Sequence, residues 1–364
     1  MDAALALARR GLGLTWPNPS VGCVLVRPDA QGGRLIARAV TQQGGRPHAE
    51  AAALAEAGDA ARGATAYVTL EPCAHQGATP PCADTLVSAG VARVVSAIED
   101  PDPRVAGRGH ARLRTAGVDV LVGVRAAEAA EANQGHLLRI RAGRPLVTLK
   151  LATTLDGKIA TESGESQWIS DAPARARAHL LRATHDAILV GAGTVRADDP
   201  RLDVRLSGLA GASPVAVAAD GGLTTPLDGA LAKGLPQRAF WILHRADADR
   251  SKAEALAALG AQLIETPARP DGRLDLRAAL LALGARGVTR VLCEGGGQMA
   301  AALLSAGLVD RLVWVAAGAA IGSEGRPAVG PLGLLRLAEA PRFRLRRQER
   351  IGPDLLSEWT PVQP

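Results

Sequence analysis

The chain has 364 residues, of which 47 % are hydrophobic and 21 % are charged. This length exceeds one ordinary core and predicts two domains, and the composition is that of a globular protein that contains no membrane span. The net charge of +6 would suit a nucleic-acid partner, but the arginines are scattered and aromatic residues make up only 2 %, so we expect neither a nucleic-acid nor a membrane partner.

The first part of the chain predicts alternating helices and strands, a pattern typical of an α/β domain. Helices are expected at residues 2–11, 48–57, 109–116 and 126–141 and from Pro80 onward, and strands around Cys23 and at 35–40, 65–70, 91–97 and 118–124. The strand at 35–40 should pair antiparallel with the strand around Cys23. The N-terminus predicts no signal peptide or anchor, and no disulfide framework is evident, so we expect a cytoplasmic protein.

One histidine, one glutamate and two cysteines in this part have the order and spacing of a zinc deaminase signature. His48-Ala49-Glu50 is followed by Pro72-Cys73 and then by Cys82. One imidazole and two thiolates can hold zinc and leave its fourth position open, as in catalytic zinc sites. Glu50, two residues from His48 in the first turn of the predicted helix, is the expected proton shuttle.

A polar helix that ends in Ala142-Gly143-Arg144-Pro145 predicts a linker. We therefore expect one domain at 1–143 and a second at 144–364. The second domain also predicts an α/β fold. Its strands are expected at 146–151, 187–190, 215–218, 239–243 and 288–292, and its helices at 174–183, 252–259 and 274–283.

Glu294-Gly295-Gly296-Gly297-Gln298 lies between a predicted strand and a predicted helix. Glycines there let a phosphate approach the backbone, and a helix N-terminus offers free N–H groups. The segment is not the G-x-G-x-x-G fingerprint, which disfavours a Rossmann domain. A plain tight turn is the alternative interpretation. Polar loops after neighbouring strands, at 154–158, 163–170, 191–195 and 198–202, favour a ligand site, although each could be only a connection.

The chain resembles the bifunctional deaminase–reductase family of riboflavin biosynthesis along nearly its whole length. The motifs that carry the resemblance are Thr15–Gly22, His48–Glu50, Glu71–Cys82, Lys150–Gly157, Ser163–Trp168, Ala197–Pro200 and Glu294–Gly296. The eight residues between Cys73 and Cys82 are more specific than the fold, since nucleic-acid and cytidine deaminases usually have two there. The resemblance implies a cytidine-deaminase-like three-layer domain followed by a dihydrofolate-reductase-like α/β domain.

Two consecutive reactions follow from the resemblance. The substrate 2,5-diamino-6-(5-phosphoribosylamino)pyrimidin-4-one, a phosphorylated small molecule, would lose its 2-amino group to a zinc-activated hydroxide, with Zn²⁺ held by His48, Cys73 and Cys82. Glu50 would move the protons. NADPH would then reduce the opened ribose to a ribityl side chain, with Lys150 near the reacting imine, unless Lys150 is a strand-end lysine that reaches solvent. We also expect a homo-oligomer formed through the reductase domain.

The resemblance also assigns binding residues. The pyrimidine would contact Asn18 and His75, although His75 could instead be a solvated loop histidine. The cofactor would contact Ala152, Trp168, Thr194, Asp198, Gly295, Gly296 and Gly297. The substrate of the reductase would contact Ser166, Arg182, Leu202, Arg205 and Glu294, and the two arginines suit its phosphate.

Two positions depart from the family pattern. Asp102 stands where the family often has asparagine, and His136 stands where it tends to have phenylalanine. The sequence leaves three alternative functions: a nucleic-acid or nucleotide deaminase with an accessory binding domain, a non-enzymatic zinc module with His75 as fourth ligand, and a second half that acts on dihydrofolate.

Overall fold

The computed structural model describes residues 1–30, 32–77, 79–235 and 237–362. Ala78, which belongs to the Glu71–Cys82 motif, lies outside the described residues. The chain divides into two compact units, Met1–Gly143 and Arg144–Pro364. Within the described residues, no helix is long and apolar enough to cross a lipid bilayer.

The first unit alternates helices and strands, as predicted for an α/β domain. Its helices are α1 Asp2–Arg10, α2 Ala49–Ala57, α3 Cys82–Ser88, α4 Arg108–Thr115, α5 Ala126–Ala132 and α6 Gln134–Ala142. Its strands are β1 Gly22–Arg27, β2 Arg34–Val40, β3 Thr65–Val68, β4 Arg93–Ser96 and β5 Asp119–Val122.

These strands form one sheet in the order β2-β1-β3-β4-β5. Strand β1 pairs antiparallel with β2 and β3, which confirms the predicted β1–β2 pairing, and β3, β4 and β5 run parallel. Cys23 and Leu25 on β1 belong to the core cluster shared with α2, α3 and α4. Gly22 faces the other side, against the backbone of Ala4 in α1. Because side chains alternate along a strand, helices cover both faces of the sheet, and the three-layer prediction is confirmed.

Two details of the prediction are wrong. His48 is the N-cap of α2, with φ −65° and ψ 158°, and does not lie in its first turn. The helix predicted at 126–141 is two helices, because Asn133, with φ −92° and ψ 6°, departs from helical geometry between α5 and α6. Gly143 ends α6 in the left-handed conformation (φ 70°), which glycine adopts without a Cβ penalty.

The second unit is also α/β. Its helices are α7 Ala172–Ala183, α8 Ala192–Asp198, α9 Ala230–Lys233, α10 Arg250–Ala258, α11 Leu276–Ala285 and α12 Gly297–Ser305. Its strands are β6 Leu146–Thr154, β7 Lys158–Ala160, β8 Ala187–Gly191, β9 Val215–Ala219, β10 Phe240–His244, β11 Gln262–Glu265, β12 Arg290–Cys293, β13 Arg311–Ala317, β14 Arg326–Pro327, β15 Phe343–Ile351 and β16 Asp354–Pro361.

The main sheet of this unit has the order β11-β10-β9-β8-β12-β6-β13-β16-β15. Strands β11 through β13 in that order are parallel, and β16 and β15 are antiparallel additions at one end. Parallel strands end at the same edge of a sheet, so the loops after β6, β8, β9, β10 and β12 meet there. Ligands of open α/β sheets bind at that edge.

Candidate active sites

Three elements of the first unit bring the predicted zinc ligands together. His48 caps α2, Cys73 lies in the loop after β3, and Cys82 is the first residue of α3. Pro81 precedes the helix and cannot donate a backbone hydrogen bond there, an arrangement that helix N-termini tolerate. The backbone N–H of Cys82 donates to Cys73 Sγ over 3.3 Å, which fixes the two sulfur atoms relative to each other.

The distances between these side chains fit a tetrahedral zinc site. His48 Nδ1 lies 3.7 Å from Cys73 Sγ and 3.3 Å from Cys82 Sγ. Zinc bonds of normal length at tetrahedral angles would separate such ligand atoms by about 3.5–3.8 Å. Among the described residues, no further His, Cys, Asp or Glu has a ligand atom within 4.8 Å of all three. The donor set therefore fits zinc with a fourth position left for water, and His75 does not complete a four-ligand site.

Glu50 lies beside this cluster and interacts electrostatically with Cys82, Cys73 and His48. It is 3 % exposed. Burial, and then the negative charge of Cys73, raise the pKa of the Glu50 carboxyl to about 7. A carboxyl group with such a pKa can both accept and release a proton near neutral pH, which is what a proton shuttle requires.

Glu71 has a positioning role that sequence reasoning missed, although it lies in the Glu71-Pro72-Cys73 motif. It is 4 % exposed, and its carboxylate accepts four backbone hydrogen bonds, from Asp100, Gly107, Gly109 and His110, over 2.9–3.2 Å. These bonds hold the loop that leads into α4 against the segment that carries Cys73. The available signal in the sequence was an acidic residue that directly follows a predicted strand and lies two residues before the ligand Cys73.

Asn18, a predicted pyrimidine contact, lies in the loop before β1, and His75, the other predicted contact, lies in the loop between β3 and α3. Asn18 Nδ2 donates to the carbonyl of Gly45 over 2.8 Å, three residues before His48. His75 follows Cys73 by two residues, and its buried Nδ1 has no hydrogen-bond partner within the part of the chain that the structure describes. An unpartnered buried nitrogen favours a ligand contact over a solvated loop histidine.

The two departures from the family pattern meet at Asp100. His136 Nε2 lies 3.5 Å from Asp100 Oδ1, and both residues are buried. Asp100 Oδ1 also accepts from the backbone N–H of Asp102 over 3.0 Å. The Asp102 carboxylate pairs with Arg104, which lowers its pKa to about 2. Both departures therefore contact Asp100, His136 through its side chain and Asp102 through its backbone N–H.

In the second unit, the loops at the strand ends enclose a cleft of about 1150 Å³, here called the glycine-lined cleft. Five predicted site residues line it: Ser166, Thr194, Asp198, Gly296 and Gly297. Thr194 lies on α8, which begins directly after β8, where a loop was expected. Ala152, Trp168 and Gly295 are not among the residues that line the cleft. Trp168 is 66 % exposed and stacks under the guanidinium of Arg175, 4.5 Å from the ring centre.

The three glycines of the run serve different purposes. A Cβ on Gly297 would lie 2.5 Å from the carbonyl oxygen of Pro327, so close backbone packing requires glycine there. A Cβ on Gly295 would lie 2.8 Å from Met299 Cβ. A Cβ on Gly296 would meet nothing nearer than 3.9 Å and would occupy open space in the cleft at the N-terminus of α12. This space next to free N–H groups fits the phosphates of a nicotinamide cofactor.

Arg182 and Glu294, 112 residues apart, form a bidentate pair. Arg182 Nε and Nη2 donate to the two Glu294 carboxylate oxygens over 3.0 and 2.7 Å. Burial alone would raise the pKa of Glu294, but the Arg182 guanidinium outweighs burial and holds that pKa below its ordinary value. Lys150 lies near both charges in the middle of β6, and burial lowers its pKa. The structure thus brings three predicted site residues, Lys150, Arg182 and Glu294, close together. Lys150 is not a strand-end lysine.

Arg205 and Leu202 lie on the segment after α8. Arg205 Nη1 pairs with the Asp203 carboxylate over 2.6 Å, and Arg182 Nη1 donates to the Asp203 carbonyl over 2.9 Å, so Asp203 connects the two arginines. The side chain of Leu202 is 2 % exposed in the core, and its φ of 52° is in the left-handed region. Any contact of Leu202 with substrate would therefore involve its backbone.

Two families match the two parts of the chain. Residues 1–98 match the cytidine and deoxycytidylate deaminase zinc-binding region, and residues 145–357 match the RibD C-terminal domain. Together with the zinc-ligand cluster and the glycine-lined cleft, these matches define a chain that joins a zinc-binding deaminase domain to a reductase domain.

Similar proteins extend along the whole chain. The riboflavin biosynthesis protein RibD of Escherichia coli K12 is 42 % identical, covering 98 % of this chain and 96 % of that protein. A structure of Acinetobacter baumannii RibD has a TM-score of 0.89 at 36 % identity, with 100 % of this chain and 98 % of that chain covered. A diaminohydroxyphosphoribosylaminopyrimidine deaminase/5-amino-6-(5-phosphoribosylamino)uracil reductase from Thermotoga maritima has a TM-score of 0.85 at 31 % identity, with 100 % and 97 % covered.

The chain belongs to the RibD family of riboflavin biosynthesis proteins. It is a bifunctional enzyme that combines a deaminase and a reductase.

Proposed function

We propose that the first unit deaminates 2,5-diamino-6-(5-phosphoribosylamino)pyrimidin-4-one and that the second reduces the ribosyl side chain of the product with NADPH. The observation that carries this proposal is the cluster of His48, Cys73 and Cys82 with Glu50 buried beside it. The name of the Thermotoga maritima relative supports the choice of both substrates.

In the deaminase, His48, Cys73 and Cys82 would hold zinc. A bound zinc ion would supply a Lewis acid that makes water acidic enough to attack at neutral pH. Glu50 accepts the proton that water loses and delivers it to the ring nitrogen next to C2. Glu50 then takes the proton from the hydroxyl that has added to C2 and passes it to the 2-amino group, so that the C2–N bond breaks, ammonia leaves and a carbonyl forms at C2.

Asn18 and His75 would hold the pyrimidine next to Glu50. The side-chain amide of Asn18 bonds the loop that precedes His48, so the amide and the ligand are fixed together. The buried Nδ1 of His75 lacks a partner among the described residues, and a polar atom of the substrate would satisfy it.

In the reductase, bound NADPH would supply the hydride that adds to C1′ of the opened ribose. Thr194, Asp198, Gly296 and Gly297 line the cleft that would hold the cofactor. By family resemblance, Ala152, Trp168 and Gly295 complete that set. Lys150 lies beside Glu294 with its pKa lowered by burial, and it would hold or donate the proton that the imine nitrogen needs as hydride adds to carbon.

Ser166, Arg182, Leu202, Arg205 and Glu294 would bind the substrate of the reductase. Arg205 has a 48 % exposed side chain, and among the described residues its guanidinium pairs with Asp203 through Nη1 alone. It is therefore the arginine with donors available to a phosphate. Arg182 is held by Glu294 and the Asp203 carbonyl, so it would orient Glu294 and contribute charge.

Each chemistry would belong to one unit, the deaminase to residues 1–143 and the reductase to residues 144–364. A homo-oligomer formed through the second unit, in the cytoplasm, completes the proposal. Light scattering of the purified full chain measures the oligomeric state directly.

The test is to incubate the full chain with the diaminopyrimidine phosphate, with and without NADPH. The proposal expects ammonia release in both cases and NADPH oxidation only after ammonia has been released. Dihydrofolate and single-stranded RNA serve as alternative substrates. NADPH oxidation with dihydrofolate, or ammonia release from RNA alone, would contradict the proposed substrates.

A further inference from the structure

The far end of the glycine-lined cleft lies over strands β9, β10 and β11, away from β6 and Lys150. In the sheet, β8 and β12 separate these three strands from β6. Thr194 and Gly296 lie after β8 and β12, and Gly221 and Arg245 line the cleft after β9 and β10. A nicotinamide cofactor with its reactive ring near β6 and its pyrophosphate at Gly296 would therefore extend its adenosine toward Gly221 and Arg245. This placement depends on the function proposed above.

Arg245 is fixed at this end of the cleft by its neighbours. Its backbone N–H donates to the Gly221 carbonyl over 3.1 Å, and a Cβ on Gly221 would lie 3.3 Å from Arg245 Cγ. Arg245 Nε pairs with Asp247 over 2.7 Å, and Nη1 donates to the Gly272 carbonyl over 2.7 Å. No partner of Nη2 is found among the described residues. The guanidinium is thus oriented, partly buried at 30 % exposure, and retains N–H groups for a ligand.

Asp220, the acid at the end of β9, is not available to a ribose. In Rossmann-type sites that bind the unphosphorylated cofactor, an acid near a strand end accepts hydrogen bonds from the ribose hydroxyls. Here Asp220 is 1 % exposed. Its Oδ2 accepts from the backbone and hydroxyl of Thr225, both over 2.7 Å, and its Oδ1 accepts from the hydroxyl of Thr224 over 3.0 Å. The feature that would favour NADH is therefore occupied within the protein.

The charged residues that line the cleft also favour the phosphorylated cofactor. Its lining includes four arginines and two aspartates, and one of the aspartates is the internally bonded Asp220. A guanidinium with free N–H groups presents a planar fork that matches a phosphate better than it matches a hydroxyl.

We propose that Arg245 binds the 2′-phosphate of NADPH and gives the reductase its preference for NADPH over NADH. Arg245 is a specificity residue in this account, because it would contact the cofactor far from the hydride.

The experiment measures the binding of NADPH and NADH separately to the full chain by titration calorimetry, without substrate. Arg245→Ala should weaken NADPH binding by about tenfold to a hundredfold, the range for one lost charge-assisted hydrogen-bonded contact. NADH affinity should change by less than about twofold. Arg250→Ala is the matched control. Arg250 is a 92 % exposed arginine that pairs with Glu254 on α10 and does not line the cleft, and its loss should change neither affinity.

Arg245→Gln, which keeps a polar side chain, should show the same selective loss. An equal loss for both cofactors in Arg245→Ala and Arg245→Gln would show that Arg245 only supports the loop, and would overturn the proposal. An NADPH affinity that Arg245→Ala leaves unchanged would also overturn the proposal. In either case, tight binding of NADPH by the wild type would leave the proposed reductase function intact. A wild-type chain that binds neither cofactor would refute the proposed reductase function and this inference together.

Discussion

Arg182→Ala is expected to destabilise the second unit as well as to affect substrate binding. The side chains of Arg182 and Glu294 are only 14 % and 12 % exposed, and two hydrogen bonds of 3.0 and 2.7 Å join them. Removing Arg182 leaves the Glu294 carboxylate buried and unpaired, which costs about 3–5 kcal/mol for a pair of this kind. Arg205→Ala removes an exposed partner of Asp203 and should change the unfolding free energy by less than about 1 kcal/mol.

Urea unfolding followed by tryptophan fluorescence measures this difference, since four of the five tryptophans belong to the second unit: Trp168, Trp241, Trp314 and Trp359. The pH dependence adds a second check. Arg182 holds the pKa of Glu294 below its ordinary value, so the pair stabilises the wild type above the ordinary carboxyl range. This contribution is lost as the pH falls through the lowered pKa.

Without Arg182, burial would raise the pKa of Glu294. Protonation of Glu294 in acid would then remove the cost of burying its charge in the variant. The stability gap should therefore narrow in acid. An Arg182→Ala variant within about 1 kcal/mol of wild type at pH 7, or a gap independent of pH, would refute this reasoning.

Two further substitutions test the cofactor loop and the support of the zinc site. Gly296→Val fills open space in the cleft, so NADPH affinity should fall while zinc content and ammonia release stay at wild-type values; an unchanged affinity would make the loop a plain turn. Glu71→Gln replaces one carboxylate oxygen with an NH2 group. That group is a donor, and it would face two backbone N–H groups that now have no acceptor. Thermal unfolding should show a loss of about 2–5 kcal/mol, and a loss below 1 kcal/mol would contradict the positioning role of Glu71.

The sequence was sufficient to predict the zinc-ligand cluster because its three residues lie at the ends of short, recognisable elements. His48 precedes a helix, Cys73 follows a strand, and Cys82 begins a helix after two prolines. The spacing constrained which side chains could meet. The position of His48 relative to the start of α2 was less predictable, since its place as the N-cap depends on one pair of dihedral angles.

Contacts between residues distant in the chain could not be predicted in the same way. The pairing of Arg182 with Glu294 depends on α7 and the loop after β12 meeting in space, and each residue alone is compatible with a free surface charge. The family resemblance assigned both Arg182 and Arg205 to the substrate phosphate, whereas the two side chains differ in burial and in their partners.

The strands after residue 310 were also missed. Strand β15 has the sequence FRLRRQERI, in which charged residues occupy both faces. It lies at the edge of the sheet with most side chains exposed, so no alternation of apolar and polar residues marks it. Its pairing with β16, which has a buried face, determines its structure.

The measurement that tests the central claim most directly is ammonia release together with zinc content in three variants of the full chain. Glu50→Gln should retain one zinc ion per chain and lose ammonia release, because the ligands remain and the proton shuttle is gone. Cys73→Ser should lose both. Glu56→Gln, an exposed glutamate on the same helix, should lose neither. Ammonia release at the wild-type rate by Glu50→Gln would contradict the account.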